Sequence, residues 1–283
     1  MTLRHVVFDF DGTCTRVEDV ADTYVDHCIE LFQREVRAGT ESALREAMDR
    51  IRLVSPGVGW MLGGTPAAPA AADPYILFGE AIRVVVKELG ITTPVPADIH
   101  ARANDFAEAP WREEVVDVLE AFHAKGIVIH FVSNSKTAKI EHRLDTLLAR
   151  KPAVRAAVAV LGDAGKFRIR ELDDASIPAA LQQVFRALPA ADGLVDGRPL
   201  YLRRGGYFEA LCTLWGGQNL AAETLVCGDI WELDLALPIA LGAQVHLVRR
   251  EEPYPTYAYE TDAVKSLGAR ASYGTLRDVL ARF

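Results

Sequence analysis

The stretch Val6-Val7-Phe8-Asp9-Phe10-Asp11-Gly12-Thr13-Cys14-Thr15 decides how the rest of the chain is read. Val6, Val7 and Phe8 form a short bulky run of the kind that makes a buried parallel strand. A strand of that kind has no use for charge, yet this one runs into two carboxylates one residue apart. At the C-terminal end of a strand in an open α/β sheet, they would stand on the edge where ligands bind. Gly12 lets the chain turn there, leaving Asp9 and the backbone carbonyl of Asp11 free to face a shared cation. Asp-Gly between apolar residues is also the usual hairpin-turn signal. The stretch alone leaves both readings open, and its context has to choose.

Composition sets the bounds. Of 283 residues half are apolar, enough for one large domain or two modest ones with a sizeable core. Asp and Glu outnumber Lys and Arg by 39 to 31, a formal net charge of -8. No long-range field would gather nucleic acid or an anionic membrane, and a phosphorylated substrate would need local cations to offset the repulsion. Cys14, Cys28, Cys212 and Cys227 form no CxxC pair and read as buried thiols rather than a disulfide framework. The apolar run after Arg4 and His5 is too short for a signal peptide, and no segment reaches membrane-spanning length without charge. The expectation is a cytoplasmic protein.

Along the chain, helical stripes follow the first stretch. Val25, Cys28, Ile29, Phe32 and Val36 share one face of a segment that Gly39 would stop, and a second helix runs from Glu41 towards Leu53. Ser55 to Pro74 is apolar but rich in Gly and Pro and reads as a long loop, with Trp60 as a candidate substrate-facing residue. Two helices are expected over Tyr75 to Leu89 and Pro96 to Ala109, and another over Glu113 to Lys125. Ile127 to Val132 is a second strand ending in Ser133-Asn134-Ser135, with a helix from Lys136 to about Arg150 behind it. Ala153 to Leu161 reads as a strand, Phe167 to Asp196 as a polar connection with a helix over Ile177 to Leu188, and Pro199 to Leu202 as a short extended piece. Thr224 to Cys227 is a strand ending in Gly228-Asp229 with Asp234 beyond, Gln244 to Val248 another, and Leu276 to Phe283 a terminal helix. Strands alternating with helices predict a Rossmann-like α/β fold, a parallel sheet with helices on both faces.

Three strands thus end in polar groups: Asp9 and Asp11, Ser133 and Asn134, Asp229 and Asp234. In one parallel sheet these ends share an edge. Carboxylates gathered there would raise each other's pKa unless a cation sat among them, and Mg²⁺ suits oxygen ligands beside a phosphate. His123, His130 and His142 lack the i, i+4 spacing of a helical zinc site.

These motifs, Asp9-Phe10-Asp11-Gly12-Thr13, the Ser133 strand end, and Gly228-Asp229 with Asp234, resemble the first, second and fourth motifs of the haloacid dehalogenase-like superfamily, in order and spacing. The resemblance implies a core over residues 1–16 and 111–283 and a type-one helical cap over 17–110. It implies that Asp9 is the nucleophile that attacks phosphorus, Asp11 the general acid and then base, and Ser133 a hydrogen-bond donor to a phosphoryl oxygen. Asp229 would be the metal's carboxylate ligand, beside Asp9 and Asp11, with Asp234 more remote. Thr13, Asn134, Lys166 and Trp60 are the expected substrate-binding residues. The family's third motif is a lysine; here Arg204 is the favoured equivalent, with Lys166 the other candidate. The activity so implied is a Mg²⁺-dependent phosphatase on a small phosphate monoester, working through an aspartyl phosphate. Its rivals are a phosphomutase and a phosphate-binding or regulatory module without turnover.

Overall fold

Val6 and Phe8 project to one side of an extended chain and Val7 to the other, and all three are buried, so their strand has to be covered on both faces. The structure is a computed structural model that describes residues 2–195 and 197–282. Its six-stranded parallel sheet contains β1 (His5–Phe8), β4 (Val128–Val132), β5 (Val158–Leu161), β8 (Thr224–Gly228), β9 (Gln244–Val248) and β10 (Ala271–Gly274), in the order β10-β9-β8-β1-β4-β5. β1 is central, with Val7 opposite His130 on one neighbour and Val226 on the other.

The helices sort onto the two faces by the same alternation. Val6 and Phe8 pack with Val115, Val118 and Phe122 of α5 (Val115–Ala124) and with Ile140 and Leu144 of α6 (Thr137–Leu147). Val7 packs instead into the cluster of α8 (Ala179–Ala187), α9 (Gly205–Leu214), α10 (Ala236–Leu241) and α11 (Ala258–Ser266), where Phe185, Phe208 and Leu241 lie.

Between β1 and α5 the chain leaves the sheet and returns. Arg16 N donates to Pro110 O at 2.8 Å and Arg112 N to Cys14 O at 2.9 Å, so the outgoing and incoming stems run side by side. The inserted segment carries α1 (Ala21–Glu35), α2 (Glu41–Val54), α3 (Pro74–Glu88) and α4 (Ile99–Asn104), packed around Tyr24, Phe32, Met48, Phe78 and Val85. A second seam, of Ala68, Ala72 and Ile76 with Ile230 and Leu233, joins this insertion to the sheet's C-terminal edge.

Several elements differ from the sequence reading. The expected loop over Ser55 to Pro74 contains an antiparallel hairpin, β2 (Gly59–Leu62) and β3 (Thr65–Pro69), turned by Gly63 and Gly64, both at positive φ. Pro66 and Pro69 argue against a central strand but are tolerated in an isolated two-stranded ribbon. The expected strand from Ala153 begins as a helical turn, α7 (Pro152–Ala156), with Pro152 at its first position, and only Val158–Leu161 is extended. The expected helix over Pro96 to Ala109 shortens to α4, and the terminal helix is 3₁₀ over Leu276–Arg282. The end of the polar connection forms a strand, β6 (Ala191–Val195), that pairs as a hairpin with β7 (Arg198–Tyr201) at the expected extended piece; α11 and β10 were not expected. Asp196 and Phe283, the ends of two expected segments, lie outside the described residues. All four cysteines are free and buried, and among the described residues no helix is long and apolar enough to cross a membrane.

Candidate functional site

After Phe8 the backbone continues one residue further into the sheet: Asp9 N donates to Cys227 O at 2.9 Å. It then turns sharply, with Cys14 N and Thr15 N both donating to Phe10 O. Gly12 sits in this turn at φ 81°, and a Cβ there would meet Asp229 Oδ2 at 2.5 Å. Only glycine satisfies both the left-handed backbone and that approach. Arg112, buried, donates to Gly12 O at 2.7 Å and to Thr13 O at 3.2 Å, fastening the turn from the returning stem.

The turn delivers Asp9 against the end of β8. A carboxylate oxygen of each of Asp9, Asp229 and Asp234 lies within 4.8 Å of the others, and all three residues are buried. Lys166, 1% exposed, sits among them: its Nζ donates to Asp9 Oδ1 at 2.5 Å and to Asp234 Oδ1 at 2.6 Å. Burial pulls its ammonium down, but Asp234 and Asp9 outweigh that and hold it protonated. Thr13 Oγ1 donates to Asp229 Oδ1 at 2.9 Å and reaches Asp9 Oδ2 at 3.3 Å. Asp234 arrives on a single π-helical turn, Trp231–Leu235. Its Oδ2 accepts from the N–H groups of Asp229 and Ile230, so both its oxygens are taken.

Three carboxylates face one ammonium. Burial, then Asp234 and Asp9, push the Asp229 carboxyl well above its ordinary range, and burial also raises Asp9. A divalent cation supported by Asp9 and Asp229 would remove that excess, so the donor set fits Mg²⁺.

Asp11 takes a separate direction. Its Oδ2 accepts from Ser135 Oγ at 2.5 Å, and Lys139 Nζ lies 4.0 Å from Oδ1. Its carboxylate therefore stands apart from the buried trio, on the wall of a cavity of about 140 Å³ that Asp9, Ser133, Asn134 and Trp60 also line. Ser133 Oγ accepts from Ser135 N at 3.2 Å, and Asn134 Oδ1 accepts from Lys166 N at 2.7 Å, so the second strand end positions the lysine's loop.

Arg204 is placed elsewhere. Its guanidinium, fully buried, donates to three backbone carbonyls: Tyr201 O at 3.0 Å, Lys166 O at 3.0 Å and Ala67 O at 2.6 Å. It bridges the β2–β3 hairpin to the Lys166 loop and touches no carboxylate of the site. Of the two third-motif candidates, Lys166 and not the favoured Arg204 is the one whose side chain lies among the carboxylates. The loop after β5 brings Lys166 to Asp9 at the end of β1, whereas Arg204, just ahead of α9, is held on the carbonyls of that loop and of β3.

Sequence reasoning missed Ser135, Arg112, Asp73 and Phe167. Ser135 adjoined the quoted Ser133-Asn134 pair, and Asp73-Pro74 was a legible helix start; Asp73 caps α3 by accepting from Ile76 N at 2.7 Å. Nothing local distinguished Arg112 or Phe167.

No family model and no curated protein matches the sequence. Solved structures do match in fold. A crystal structure of a predicted phosphoglycolate phosphatase from Haemophilus somnus 129pt is 16% identical and overlaps 99% of this chain and 98% of its own at a TM-score of 0.51. A haloacid dehalogenase-like hydrolase from Bacteroides fragilis is 14% identical, with 98% and 100% covered and a TM-score of 0.51. The L-2-haloacid dehalogenase RSc1362 overlaps less well, at a TM-score of 0.44 with 16% identity over 99% and 98% of the two chains. The six-stranded parallel sheet with its insertion between the first strand and the next helix is the haloacid dehalogenase-like fold.

Proposed function

We propose that this protein is a Mg²⁺-dependent phosphatase that hydrolyses a small phosphate monoester through an aspartyl phosphate. The observation that carries this reading is the division of labour between two aspartates: Asp9 locked beside Lys166 in the buried trio, Asp11 turned away onto the cavity wall. A dehalogenase has no need of an acid at the Asp11 position, because halide leaves unprotonated; an alkoxide does not.

In the proposed reaction Asp9 attacks phosphorus, the ester P–O bond breaks, and Asp11 gives its proton to the leaving oxygen. Asp11, now a base, takes a proton from water, whose oxygen attacks phosphorus and frees Asp9 and inorganic phosphate. Lys166 holds Asp9 in position and offsets the phosphoryl charge, and Ser133 lies at the same strand edge to meet a phosphoryl oxygen. Bound Mg²⁺, held through Asp9 and Asp229, would supply the remaining positive charge. Residues 17–110 serve as the cap, closing the cavity with Trp60 and Tyr75.

The test is phosphate release from a panel of monoesters with and without Mg²⁺, in wild type and Asp9→Asn. Metal-dependent release that disappears in the variant supports the reaction. A folded, metal-loaded protein that releases phosphate from none of the esters defeats it and leaves a binding module.

A further inference from the structure

Outward from the carboxylate trio, the cavity has a second wall of a different kind. Trp60 from β2 and Phe167 from the loop after β5 meet at a ring-centroid distance of 5.4 Å, tilted by 59°. Tyr75, in the first turn of α3, completes the ring set; it stands edge-on to the buried Tyr24 at 4.8 Å, and Tyr24 is itself held by His100 Nδ1. All three rings are half-buried and line the cavity. Asp73 lines the cavity with them. It shares the cavity with Asp11, and none of the lining residues is a lysine, arginine or histidine. Burial raises the Asp73 carboxyl to about 6, with the Asp11 charge adding to it and the Ile76 N–H and the Arg250 charge opposing it.

We propose that this wall receives an ammonium-bearing leaving group, so that the substrate is the phosphate ester of a small amino alcohol. The inference rests on the phosphatase reading for its anchor: the phosphoryl group sits at Asp9 and Lys166, and the rest of the substrate extends to Trp60, Tyr75, Phe167 and Asp73. Aromatic faces attract an ammonium through their quadrupoles, and a carboxylate at the same spot adds a charge partner. An anionic leaving group, such as the glycolate part of phosphoglycolate, would meet Asp73 and Asp11 with no basic residue of the lining to receive it. The cavity's size limits the alcohol to a few heavy atoms.

The experiment compares kcat/KM for phosphocholine and O-phosphoethanolamine with that for 3,3-dimethylbutyl phosphate, the uncharged isostere of phosphocholine, and for 2-phosphoglycolate. Wild type, Asp73→Asn and Trp60→Leu are measured; asparagine keeps the cap on α3. The expected result is a preference of about tenfold for a cationic ester over the isostere, with phosphoglycolate poorest, and a preference reduced severalfold in both variants. The two cationic esters separate a quaternary from a primary ammonium. Turnover without preference for either cationic ester, or with preference for phosphoglycolate, overturns the inference and leaves the phosphatase standing. If no ester is turned over, the phosphatase reading fails, and calorimetric titration with choline against 3,3-dimethylbutan-1-ol decides the wall alone. Choline binding that Asp73→Asn weakens supports it; equal or absent binding of the two alcohols overturns it.

Discussion

Two buried regions of this molecule each contain a fully buried cation, and they are built on opposite principles. Around Lys166 three carboxylates share one ammonium, and negative charge is left over. Along the seam between insertion and sheet, every cation has its own partners. Arg204 is spent on three carbonyls. Arg198 pairs with Glu232, which also accepts from Tyr259 Oη at 2.7 Å, and Arg250 pairs with Glu260 at 2.5 Å while donating to Asp229 O. A buried carboxylate without a counter-charge costs several kcal/mol, so such an excess persists where a ligand is meant to offset it. Cations paired in a seam fix two parts of a structure against each other, although Arg198 Nη1 is left without a hydrogen-bond partner among the described residues. The number of charges does not separate the two regions; the balance does.

That contrast can be broken first at its two cations. Lys166→Met should lower kcat/KM for phosphate release by about 10³-fold or more, because the charge meeting the phosphoryl group is lost. Arg204→Met should instead leave kcat per folded molecule within about threefold and cost about 3 kcal/mol in urea unfolding, since carbonyls of Ala67 and Lys166 lose their donors. An Arg204 variant that folds normally and is inactive would reverse the assignment of the two residues.

Adding the missing cation sharpens the comparison. Mg²⁺ in hundredfold excess over its dissociation constant should stabilise the wild type by about 2–3 kcal/mol in thermal unfolding. Asp229→Asn, which removes one negative charge from the trio, should lose most of that gain while unfolding higher than wild type in the absence of metal. A Mg²⁺ response unchanged in the variant would remove Asp229 from the ion's neighbourhood.

The smallest effect lies inside the sheet, away from either region. Burial, then the charge of neighbouring His5, lowers the His130 imidazole to about 4. Between pH 6.5 and 4 the unfolded chain binds a proton that the folded chain refuses, so stability is present above that window and falls as the pH drops through it. The loss should be about 2 kcal/mol by pH 5, and His130→Gln should flatten the slope of urea-unfolding free energy against pH.

Much of the fold was legible because its signals are local. β1, β4, β8 and β9 announced themselves as short apolar runs, and α1, α5 and α6 as stripes with the right period. Elements whose stability comes from neighbours were not legible. β10 reads Ala-Ser-Tyr-Gly and is a strand because β9 offers it a paired edge; β3 holds two prolines and survives with β2 as a ribbon pinned by Arg204 and by the Trp60–Phe167 contact.

For the site, the sequence by itself determined the chemistry on offer. Asp9, Asp11, Ser133, Asn134, Asp229 and Asp234 stand at strand ends, and parallel strands put their ends on one edge. Which cation reaches that edge was a different kind of question. Lys166 and Arg204 each lie in a Gly-containing loop before a helix or turn, and the sequence reading favoured Arg204. The paths of the β5 loop and of α9 through space rank them, together with the placement of Asp73, Tyr75 and Phe167 around one cavity. Position along a strand is a local property that a sequence encodes directly; approach between segments a hundred residues apart is set only when the whole core closes.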